Sequence, residues 1–97
     1  MTALSADERR RYDVLRPRVL EALEHADETV SGFRLRIGGA VSIHDVAEWL
    51  EMEHRCCAFL DILLALKGDG TRWIEMGGSP AIKTFLKEEF RAFQVSR

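Results

Sequence analysis

No run of apolar residues in this chain approaches the ~18 that a membrane-spanning helix requires. The opening Met1-Thr2-Ala3-Leu4-Ser5-Ala6-Asp7-Glu8 lacks the basic start and apolar middle of a signal peptide. A membrane is therefore not an expected partner. Charge of one sign is scarce too: 14 Lys and Arg against 16 Asp and Glu leave a net charge of −2. That balance gives no basic footprint for nucleic acid. The arginines that do cluster, Arg9, Arg10, Arg11, Arg16 and Arg18, are offset by Asp7, Glu8 and Asp13 and read as a solvated helix face. Cysteine is limited to Cys56 and Cys57, which are adjacent and cannot close a loop. Free thiols in a reducing compartment are expected, hence a cytoplasmic location. The three histidines have no zinc-finger or metalloprotease spacing, and no phosphate loop, dinucleotide fingerprint or nucleophile elbow is present.

What is there reads as one α+β domain spanning residues 1–97. Ser5-Ala6-Asp7-Glu8 is a capping box, and Tyr12, Leu15, Val19, Leu23 and Ala26 continue at steps of three and four. A helix to about Ala26 is expected, kinked or divided at Pro17. Phe33, Leu35 and Ile37 alternate with Arg34 and Arg36, a strand with one buried face. Ser42 and Asp45 open a second helix that runs to the cysteines. Leu60, Ile62, Leu64 and Leu66 return to a period of two, and Gly68-Asp69-Gly70 turns the chain into Trp73-Ile74-Glu75-Met76. After Gly77-Gly78, Ser79 and Pro80 start a last helix, with Ile82, Phe85, Leu86, Phe90 and Phe93 on its buried face. The expected order is α-β-α-β-β-α, a three-stranded sheet packed by helices, with strand order open.

The second helix carries the one chemically pointed feature. On a helical wheel with Val46 at zero, Cys57 falls at about 20°, Leu50 at about 40°, Ile43 at about 60°, Trp49 at about 300° and Glu53 at about 340°. Glu48, Glu51 and Arg55 lie opposite, where a surface helix carries its charges. Glu53 thus sits inside an apolar stripe, one turn from Cys56 and Cys57. A carboxylate facing a core costs several kcal/mol unless neutralised, hydrogen-bonded or paired. Three arrangements would offset that: an ion pair with Arg34 or Arg36, a metal shared with the thiolates and His44 or His54, or a protonated acid exchanging its proton with Cys57. Adjacent helical cysteines diverge, so both reach one ion only if the helix ends there. The plainer readings are a cysteine filling core space and a glutamate reaching water past the last turn.

The run Glu53-His54-Arg55-Cys56-Cys57-Ala58-Phe59, followed by the strand, the Gly-rich turn, Trp73 to Gly77, and Ala81 to Leu86, resembles a family of small uncharacterised bacterial proteins with the pattern E-x-x-C-C-P-F. The likeness spans Val46 to Leu86, and Ala58 departs from it where proline is usual. It implies that Glu53, Cys56 and Cys57 are a shared signature; it supplies no reaction.

The leading expectation is a thiol site that binds a soft metal or metalloid ion, or reacts with an oxidant or electrophile. Cys57 would be the main ligand or nucleophile and Cys56 a second ligand or resolving thiol. Glu53 would be a ligand or proton carrier, and His54 a further ligand. Soft thiolates select ions such as zinc, copper(I), mercury or arsenite. The competing class is a non-catalytic homodimer in which Trp49, Trp73 and a strand edge serve assembly.

Overall fold

The computed structural model of the chain describes residues 4–95, with side chains as far as Glu89. Phe90 and Phe93 therefore lie outside the described side chains. Ser5 Oγ accepts from the Glu8 N–H at 3.1 Å while Glu8 Oε1 accepts from the Ser5 N–H at 2.9 Å, closing the capping box. Helix α1, Ala6–Glu21, then runs as one helix through Pro17. Pro17 is on the exposed side, where water can serve the carbonyl that loses its donor. The expected division there does not form.

The larger correction comes at the end of that helix. Strand β1, Leu23–Glu28, occupies residues read from sequence as helix, and it pairs antiparallel with β2, Gly32–Ile37. A register shift between Leu23 and His25 sets Leu23 opposite Ile37 and Ala26 opposite Leu35. The bulge thus separates two inward-facing residues by three instead of two, which is also the spacing of a helix stripe. Beyond β2 come α2, Ile43–Cys56, then β3, Asp61–Leu66, β4, Arg72–Gly77, and α3, Pro80–Val95. The order is α-β-β-α-β-β-α, and the sheet has four antiparallel strands in the order β1-β2-β4-β3, not three.

One face of the sheet makes the core. Phe33, Leu35 and Ile37 from β2 and Ile74 and Met76 from β4 are buried with Leu15 and Val19 of α1, Val46, Trp49 and Leu50 of α2, and Leu86 of α3. The opposite face carries Arg34, Arg36, Trp73 and Glu75, with the Arg34 guanidinium 4.8 Å from the centre of the Trp73 ring. Where the start of β2 meets the end of β4, the strands approach closely at Gly32, where a Cβ would lie 1.9 Å from the Met76 carbonyl oxygen. Only glycine fits there. In the β3–β4 turn Gly70 takes φ +88°, and Asp69 accepts from the Thr71 N–H at 2.9 Å.

The arginines of α1 do more than face solvent. Arg11 donates to Asp45 at 2.9 Å and Glu48 at 3.0 Å, and Arg55 of α2 reaches back to Glu8. These pairs tie α1 alongside α2. Among the described residues no helix is long and apolar enough to cross a membrane.

Candidate thiol cleft

Ser42 caps α2 by accepting from the Asp45 N–H at 3.1 Å, as its sequence predicts. The stripe Val46, Trp49 and Leu50 packs into the core, and Glu53 follows on the same side, half-buried. The helix then stops. Cys56 is its last residue and Cys57 its cap, with φ −131° and its N–H donating to the Glu53 carbonyl at 2.9 Å. The wheel therefore overreaches by one residue at Cys57. The helix thus ends between the two cysteines, and both free thiols line one cleft with Glu53.

That cleft, about 270 Å³, lies where α1, α2 and α3 converge beside β4. Helix α1 contributes Tyr12 and Arg16, α2 contributes Trp49, Glu53 and the cysteines, and α3 contributes Phe85, Leu86 and Glu89. The Tyr12 hydroxyl donates a hydrogen bond to Glu53 Oε1. This is the partner the sequence reading missed, since Tyr12 reads there as one more member of an apolar stripe. Its signal was that it is the one residue of that stripe with a polar tip. Trp49 lines the same cleft, and its buried indole N–H lies near the Tyr12 hydroxyl, on which it acts as a hydrogen-bond donor that lowers the phenol's pKa.

Burial pushes the Glu53 carboxyl above the ordinary carboxylate range, and Glu89 adds to this; the Tyr12 hydrogen bond and Arg16 only partly offset it. The Tyr12 phenol is pushed up in turn, first by burial and then by its bond to Glu53. Cys57 is also raised, by burial and then by the charges of Glu53 and Cys56. Near neutral pH the Cys57 sulfur is therefore held as a thiol.

Neither expected arginine pairs with Glu53. Arg34 lies 3.8 Å from Asp27 and Arg36 3.3 Å from Glu24, both on the far face of the sheet. The strand alternation that exposes them is what carries them away from α2. His54 is exposed and lines a separate groove between α2 and β3, so it does not join the cysteines. His44 is exposed at the start of α2, and His25 sits on β1 with its Nε2 2.7 Å from Asp27. Among the described residues no three His, Cys, Asp or Glu side chains form a metal-holding group. The cleft thus presents two thiols and a carboxyl tied to a phenol.

Fold and cleft together define a small α+β protein with paired thiols at the end of a helix. Comparison with family models, with curated proteins and with solved structures finds no match to this chain.

Proposed function

We propose that the cleft captures a soft metal or metalloid ion through Cys56 and Cys57. The observation that carries this reading is that both thiols line one solvent-reached cleft at a helix end, beside a carboxyl whose pKa is raised. Thiolates are the protein ligands that soft ions prefer. A protonated Cys57 is a poor spontaneous nucleophile, which disfavours direct attack on an oxidant or electrophile. An incoming mercury(II) ion instead displaces both thiol protons, one to Glu53 and the other to water. Structural zinc takes four protein ligands and catalytic zinc three. Two thiols suit better an ion content with two sulfurs, such as mercury(II) or arsenite. Arsenite bound this way exchanges two hydroxyls for two sulfurs and releases two waters. It keeps one hydroxyl.

Trp49 lies in the cleft wall and reports occupancy by fluorescence. Titration of the reduced protein with arsenite should give one equivalent bound, confirmed by intact mass. Cys56→Ser and Cys57→Ser should each weaken binding by about 100-fold or more, roughly 2.7 kcal/mol. Substoichiometric uptake, or binding that survives replacement of both cysteines, sinks the reading.

A further inference from the structure

The two edges of the sheet are built differently. At the β1 edge, Glu24, His25, Asp27 and Glu28 put charge along the strand, and a bulge interrupts it. Those are the devices that keep an edge from pairing with another chain. At the other edge, β3 has one charge, Asp61, followed by Ile62-Leu63-Leu64-Ala65-Leu66. Its pairing with β4 is continuous, with no bulge, and it contains no proline. Leu63 and Leu66 are 56% and 63% exposed. Among the described residues no strand lies beyond it.

The sequence of β3 is complementary to itself. Directly opposed residues of an antiparallel pair point to the same face, so a twofold axis relating two copies of one strand passes through a residue. With the axis at Leu64, Asp61 stands opposite Lys67 of the second copy, Ile62 opposite Leu66, and Leu63 opposite Ala65. Two salt-bridged pairs then close the ends of an apolar ladder. An axis at Leu63 would set Asp61 opposite Ala65 and lose both pairs. On the helix side, the groove beside this edge carries Leu50, Leu60, Ile62 and Leu64 together with Glu51, His54 and Asp61, and its apolar part is open to the second copy.

We propose that β3 pairs antiparallel with β3 of a second copy about an axis at Leu64, joining two four-stranded sheets into one of eight strands. Analytical ultracentrifugation of the full chain tests this. The wild type should sediment as a dimer. Asp61→Lys and Lys67→Asp each set like charges opposite one another twice and should weaken the dimer by about tenfold. The double variant should recover it. Mixing the two single variants should give a heterodimer, since each then presents the charge the other lacks. Circular dichroism of every variant reports that the fold is kept. A wild type that stays monomeric at hundreds of micromolar overturns the proposal and leaves the edge for a foreign strand. A dimer indifferent to both charge reversals overturns it as well, and assigns the contact to another surface.

Discussion

Two carboxylates on the same pair of helices have opposite fates. Glu8, at the start of α1, accepts from Arg55 and from the Ser5 backbone, and its pKa falls to about 2, the Arg55 hydrogen bond being the largest cause. Glu53, near the end of α2, makes no salt bridge among the described residues; it accepts from Tyr12, and burial drives its pKa up despite the Tyr12 bond and the Arg16 charge. The difference is one of surroundings and not of residue type. Glu8 lies at the solvent end of the α1–α2 seam and is charged at no net cost, so it holds helices together. Glu53 is held where charge is disfavoured, which is the condition of a group that trades protons.

Both carboxylates lie outside the packing that carries the fold, and the largest effect tests that separation. Leu35 is fully buried in the central strand, and Leu35→Ala should cost about 2–5 kcal/mol in chemical denaturation. That loss should be the same near pH 4 as near pH 7, since no titrating group is removed. A strongly pH-dependent loss would show the core and the carboxylates to be coupled and would break the comparison.

A smaller effect is expected at the cleft. Because the folded-state pKa of Glu53 is raised, its protonated form favours folding, and stability falls as pH climbs from 4.5 through the raised value. Tyr12→Phe removes the hydroxyl that offsets burial, so Glu53 should shift further up. The expected cost is about 1–2 kcal/mol near pH 7, with Tyr12 half-exposed and the bond partly screened, and less near pH 4. Glu53→Gln should flatten the same pH dependence. Equal losses at both pH values would mean that Glu53 is not the titrating group.

The smallest effect belongs to Glu8. Its folded pKa is depressed, so its contribution is present above 4.5 and disappears as pH falls toward about 2. The pair is open to solvent, which keeps the loss below what so low a pKa would suggest. Acid unfolding of Glu8→Gln followed by circular dichroism should lack this window while keeping the dependence due to Glu53. If instead Glu8→Gln abolishes the Glu53 window, the two ends of the seam are not independent.

The same contrast explains what was legible in the sequence. The cap at Ser42, the β2 alternation, the Gly68–Gly70 turn and the break of pattern at Glu53 are local, each written within one or two turns of chain. Strand β1 was not legible, because its bulge imitates helical spacing between Leu23 and Ala26 and its pairing is with β2. Tyr12 was not legible as the partner of Glu53 for a related reason: 41 residues separate them, and only the packing of α1 on α2 brings them together.

Sequence by itself determined that Glu53, Cys56 and Cys57 share the end of one amphipathic helix, because helical periodicity is a short-range property of the chain. Tertiary structure alone decided that both thiols reach one cleft, and that a phenol and not an arginine meets the carboxyl. It also decided that β3 is left at an edge. Those outcomes depend on which distant segments pack together, and that is set by burial of the whole core, not by any local pattern.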